Sequence, residues 1–170
     1  MEETYSIQTQ DGDKYILSVN DVDIAFLSDD IQQRLLNHNL QIGEIIIERT
    51  AGKQYTCYKV LYQIVTWLAG IFAQHQRLIL YYLCDDMNFI PNRNTKGKNK
   101  DLSPQEYRSS LFSKLFEGYK KSHQVTGISD YPIIIEGEGY KQFIHLIARD
   151  SHKEHVLAMR NDINTGWAKG

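Results

Sequence analysis

The sequence predicts an α+β fold in one domain: a mainly antiparallel sheet opened by a β-meander, with two principal helices packed on it. Three observations carry this. Short β-rich runs separated by turn signals fill the front of the chain. A single helical stripe follows near residue 60. A serine–proline helix start stands at 103–104.

The first run, Tyr5-Ser6-Ile7-Gln8-Thr9, alternates large with small or polar residues, Asp11-Gly12 is a hairpin signal, and Tyr15 to Val19 resumes the β-rich composition. Asp21 to Asp23 reads as a turn before a short strand at Ile24 to Leu27. Ser28-Asp29-Asp30 then caps a short helix over Ile31 to Asn37, and Glu44 to Arg49 is the next strand, ended by Ala51-Gly52. Leu61, Ile64, Val65, Leu68, Ile71 and Phe72 recur at helical spacing, which predicts a core helix over about 56 to 75, with Trp67 and Gly70 off the stripe. Arg77 to Cys84 is apolar in succession rather than alternation, the pattern of a central strand buried on both faces.

Ser103-Pro104-Gln105-Glu106 combines an N-cap serine, proline at the first helical position and a glutamate that closes a capping box. The helix it opens has Tyr107, Leu111, Leu115 and Tyr119 on its apolar face, with Arg108 at the margin. A partly desolvated guanidinium there demands a carboxylate, and the expected partner is Asp85 or Asp86 at the exit of the central strand. Pro132 to Ile135 and Tyr140 to Ala148 read as a hairpin turned at Gly137-Glu138-Gly139. Asp150 to Asn161 reads as a loop or short helix, and 164–170 as a C-terminal tail on which Trp167 docks against the body.

A chain of 170 residues with 42% hydrophobic and 24% charged residues has the material for one self-sufficient core. It lacks a signal-peptide pattern at its start and any apolar run long enough to span a bilayer, so the expected location is cytoplasmic. Cys57 and Cys84 are then expected to be free thiols. Charge is uneven. Ten acids face Lys14, Arg34 and Arg49 in residues 1–50, a net −7. Residues 93–123 carry eight cations against Asp101, Glu106 and Glu117, a net +5. The segment 93–101, rich in Asn, Lys and Gly, is expected to be a mobile basic loop.

With these elements in order, the chain resembles an uncharacterised family of small intracellular proteins from Bacteroidota over roughly residues 5 to 149. The resemblance rests on the meander, the core helix, the strand ending in Cys84 and Asp85, and the later helix with Arg108, Phe112 and the pair Leu115-Phe116. Leu115 stands where the family pattern has an aromatic. The family has no established activity, so the resemblance implies a fold and a bacterial cytosolic setting and supports Arg108 as a position of interest.

No glycine-rich phosphate loop, G-x-S-x-G, H-E-x-x-H or C-x-x-C occurs. No catalytic set, metal site or cofactor is assigned. Asp85 and Asp86 with the cations Arg93, Lys96, Lys98 and Lys100 are the ingredients of an Mg²⁺-dependent phosphoryl-transfer or nuclease site, or of a nucleic-acid contact. Adjacent carboxylates on a strand point to opposite faces, however, and the neighbouring aromatics belong to a core face. Cys84 lacks a base at a recognisable spacing, His145 reads as a hydrogen-bonded core imidazole, and His152 and His155 lack a third ligand in register. The expected function is therefore a small binding domain without catalysis, acting through a protein partner in a bacterial defence, competition or regulatory system. Its contact surface is the acidic front or the basic segment with Asp85, Asp86 and Arg108. Nucleic acid is the alternative partner, and no membrane partner is expected.

Overall fold

The computed structural model describes residues 1–52, 56–85 and 101–168, and the side chains up to residue 166. Its strands are β1 (Glu2–Gln8), β2 (Lys14–Asp21), β3 (Gln41–Ala51), β4 (Leu78–Cys84), β5 (Ile128–Gly137) and β6 (Tyr140–Arg149), and its helices are α1 (Asp29–Asn37), α2 (Tyr58–Gln74), α3 (Pro104–His123) and α4 (Lys153–Ala168). The strands form one sheet in the order β1-β2-β3-β4-β6-β5. Every neighbouring pair is antiparallel except β3 and β4, which are parallel because α2 carries the chain across between them. No helix of the described residues is long and apolar enough to cross a membrane.

Period-two alternation sorts the strand side chains into two cores. Tyr15, Leu17 and Val19 of β2, Leu80, Tyr82 and Cys84 of β4, and Phe143 and Ile147 of β6 pack under α2 and α3. Ile79 of β4, Tyr131, Ile133 and Ile135 of β5, and Ile144, Leu146 and Ala148 of β6 pack under α1 and α4. Because β4 and β6 feed both cores, their sequences are near-continuous apolar runs. On α2 the buried residues are Val60, Ile64, Leu68, Ile71 and Phe72, one face of the helix. Trp67, off that stripe, reaches β1 and stacks on Tyr5 at 6.0 Å.

Two expectations are corrected. Ile24 to Phe26 is a 3₁₀ turn rather than a strand, because Asp23 accepts a hydrogen bond from the Ala25 amide at 3.0 Å and curls the chain, and none of the three residues is buried. The stretch expected to be a loop or short helix, and the tail after it, form the 16-residue helix α4 as far as Ala168. Val156, Met159 and Ile163 at i, i+3 and i+7 are fully buried against the sheet, and tertiary packing of that narrow stripe overrides the polar residues between them. The side chain of Trp167 and most of the expected 93–101 loop lie outside the described residues.

Candidate functional site

The chemistry-bearing side chains gather where β4 ends beneath the first turns of α3. Ser103 fixes that end of the helix, its Oγ accepting from the Glu106 amide at 3.2 Å. This register buries Arg108. Its Nη1 donates to Asp85 Oδ1 at 3.0 Å and to the Asp85 carbonyl at 3.4 Å, so one guanidinium ties the helix to the strand exit. The burial is lopsided: the arginine side chain is 3% exposed and the aspartate side chain 36%. Asp86, Arg93, Lys96, Lys98 and Lys100, the other expected contact residues, lie outside the described residues.

Cys84 is the last residue of β4 and is buried. Burial pushes its thiol up to about 12; Arg108 pulls against that shift, while Asp130 and Asp85 add to it. Such a thiol holds its proton at neutral pH and is no nucleophile. Burial likewise raises the Tyr82 phenol beside it.

Beside Arg108 on α3 begins a further constellation. Ser109 Oγ is 2.8 Å from His145 Nε2, and His145 Nδ1 is 2.9 Å from both oxygens of Asp130. Ser113 Oγ also donates to Asp130 Oδ2, at 3.4 Å. With the proton on Nδ1, the ring donates to Asp130 and accepts from the Ser109 hydroxyl, so both nitrogens are used. The residue types and their order are those of a hydrolase triad, but the setting differs in two ways that matter. Ser109 sits inside a continuous helix, where its own amide and the next bond to carbonyls four residues back and leave no donor for an oxyanion. His145 is fully buried, with Phe112 at 4.9 Å from its ring and Tyr82 at 6.4 Å. The arrangement is a saturated polar strut joining α3 to β5 and β6.

A signal for this strut does exist in the sequence. The turn at Gly137–Gly139 sets the hairpin register that pairs Pro132 with His145 and Asp130 with Ile147, which makes Asp130 and His145 diagonal neighbours on one face.

A second arginine–aspartate pair closes the far half of the sheet. Arg49 of β3 donates through Nη2 to Asp13 Oδ1 at 2.7 Å, above the ring of Tyr15, whose hydroxyl lies 2.8 Å from Thr56 Oγ1. Gly52 makes room for it: its φ is +101°, and a Cβ there would stand 1.6 Å from Asp13 Oδ1. Arg49 and Arg108 line a common cavity of about 40 Å³, and each keeps a buried Nε without a hydrogen-bond partner among the described residues.

The remaining histidines are apart. His152 Nε2 lies 3.2 Å from the Gln76 carbonyl, while His155 packs on His38 at 4.1 Å between α1 and α4. Among the described residues, no group of three or more His, Cys, Asp or Glu is placed to share a metal ion.

The opposite surface of β1 to β3 is open. Helices cover only one face of β1 and β2, so the residues pointing away from α2 meet solvent. The register lines up Ser6, Ile16 and Glu48, then Thr4, Ser18 and Ile46, then Glu2, Asn20 and Glu44. Ile16 and Ile46 are 39% and 38% exposed. Phe26, also exposed, lies 6.3 Å from Tyr81, which pairs with Glu44 and so continues the strip. Burial and the Glu44 carboxylate push the Tyr81 phenol up to about 12. Comparison with protein-family models, curated proteins and solved structures finds no significant match to this chain.

Proposed function

We propose that the protein is a non-catalytic interaction domain whose protein partner docks on the open face of β1 to β3. The observation that carries this reading is the strip of exposed Phe26, Ile16 and Ile46 set among Glu2, Glu44 and Glu48, with Lys14 the one cation on those strands' open side. Apolar groups in an acidic surround suit a partner with a small apolar centre and a basic rim, which is steered by charge and held by burial. The groups under α3 that have catalytic chemistry are instead engaged with one another, which favours a structural role for them. The likeness to a family of small Bacteroidota proteins supplies the setting: a bacterial cytosol, and a defence, competition or regulatory system.

A photo-crosslinking residue placed at Ile46, with one at exposed Tyr58 on α2 as control, tests the reading. Position 46 should capture one discrete protein that position 58 does not. That protein, purified, should lose at least about tenfold in affinity for the Ile16→Glu, Ile46→Glu variant, as expected for removal of an interface centre. Equal capture at both positions, or an affinity that ignores the double substitution, refutes the docking face.

A further inference from the structure

The other side of the sheet carries a second feature, independent of the open face. Small residues, Ala69 and Ala73, stand on α2 where it passes α3, and α3 answers with Phe116 and Tyr119 rather than with side chains that fill the gap. A cavity of about 510 Å³ remains between the helices, floored by Leu80 and Ile147. A void that size is far larger than packing defects in a well-filled core and falls in the range of sites for small molecules.

Its polar endowment is one-signed. Lys120 and Arg149 line it, and no acidic residue among the described residues does. The Arg149 guanidinium lies 4.4 Å over the Phe72 ring, and its Nη2 donates to the Phe72 carbonyl at 2.7 Å, which fixes the plane of the group. Nη1 is buried without a hydrogen-bond partner among the described residues. Burial lowers the pKa of this guanidinium from its ordinary value. Lys120 is held 5.4 Å from the Phe116 ring, and its nearest carboxylate, Glu117, is 3.9 Å away and itself well exposed. A guanidinium held in place beside an apolar cavity is a ready partner for a carboxylate.

We infer that this cavity binds a small amphipathic monocarboxylate, its alkyl or aromatic body between α2 and α3 and its carboxylate on Arg149, with Lys120 as the second cation. An anion supplies a counter-charge to Arg149 and Lys120, and the apolar walls select against compact hydrophilic acids. Phosphorylated and highly polar metabolites are disfavoured by the same walls.

Calorimetry and amide and methyl NMR on the full chain test the site with sodium decanoate, 4-butylbenzoate, decan-1-ol and sodium acetate as probes. At least one of the two long acids should bind one to one and shift the Ala69 and Ala73 methyl signals. It should bind at least about tenfold more tightly than decan-1-ol, while acetate shows no saturable binding. Arg149→Met should erase the preference for acid over alcohol, Arg149→Lys should restore part of it, and Ala69→Trp should block acid and alcohol together. Melting curves and the NMR spectra of the variants report whether each is folded, and the acid–alcohol ratio on the unsubstituted chain stands without them. Equal binding of acid and alcohol overturns the proposal, as does failure of both long acids to bind. A concentration-dependent dimer whose interface shifts Ala69 and Ala73 assigns the cavity to a second copy instead, and also overturns it.

Discussion

β1 and β2 are covered by helices on one face only, whereas β4 and β6 lie between α2 and α3 on one side and α1 and α4 on the other. Each half nonetheless buries an arginine–aspartate pair, and the pairs differ in a way that follows from the covering. In Arg49–Asp13 the aspartate is buried and the arginine nearly so, 7% and 13% exposed, because the hairpin end folds back over a glycine that leaves it space. In Arg108–Asp85 the helix hides the guanidinium, while the strand end leaves the carboxylate within reach of water. The lesson is that the geometry of an ion pair does not fix its energetic role; the solvent left to each partner when the other is removed does.

The largest effects should therefore come from Asp13→Ala and Arg49→Met. Each strands a charge in a closed site, and urea unfolding should show losses of about 3 to 5 kcal/mol for both. The second pair should be asymmetric. Asp85→Ala leaves the guanidinium buried and should approach the same loss, whereas Arg108→Met leaves a carboxylate that water can solvate and should cost about 1 kcal/mol. Equal losses from the two sides of the Arg108 pair would break the comparison.

A smaller effect is expected at the strut in the doubly covered half. Ser109→Ala removes a donor to a fully buried imidazole and should cost about 1 to 3 kcal/mol in the same measurement. Loss of a hydrolytic activity from that substitution, with stability unchanged, would instead make Ser109 a nucleophile.

Thiol labelling sharpens the contrast between an edge of the fold and its covered strand. Cys57 is exposed ahead of α2 and Cys84 is buried under α3. With dithionitrobenzoate at pH 8, one thiol should react quickly, be lost in Cys57→Ser, and leave Cys84 protected until the protein opens. Two fast thiols in the native protein would show that α3 lifts readily from the end of β4.

The smallest effect is a pH dependence where α1 meets α4. Burial first, then His38 and Arg34, lower the His155 pKa from its ordinary 6.5. The unfolded chain then takes up the proton before the folded one, so stability present above that value declines as pH falls through it and toward the folded pKa. His38→Gln removes one of the causes and should make the decline shallower in melting temperatures measured between about pH 7.5 and 5. An unchanged slope would remove His38 from the account.

Legibility in the sequence followed the strength of the local code. The apolar stripe of α2, the Ser103-Pro104 start of α3 and the continuous apolar run of β4 are local patterns, and the corresponding elements stand within a few residues of the positions they indicate. The sequence points to Asp85 or Asp86 as the carboxylate beside Arg108, and Asp85 is the one it meets among the described residues. What escaped depends on pairings distant in sequence. The stripe of α4 is only three residues wide and takes its meaning from the sheet it meets. Asp13 meets a partner that lies 36 residues away, and the Ser109–His145–Asp130 strut needs the hairpin register and the facing turn of α3 at once. The cavity between α2 and α3 is a matter of what two helices fail to fill, which no single segment records.

The two outermost strands bear on how crowded the protein can become. β1 carries Glu2 and Glu3, so another chain approaching that rim meets like charge if it is a copy. β5 is ten residues long, has one neighbour among the described residues, and exposes Ile134. Such a margin invites the next molecule to add its own strand and the one after that to continue the ribbon. Pro132, exposed in its middle, has no amide hydrogen to offer and interrupts the row of donors that a growing ribbon requires. One imino acid thus separates a sheet that ends at its own boundary from a template for fibres.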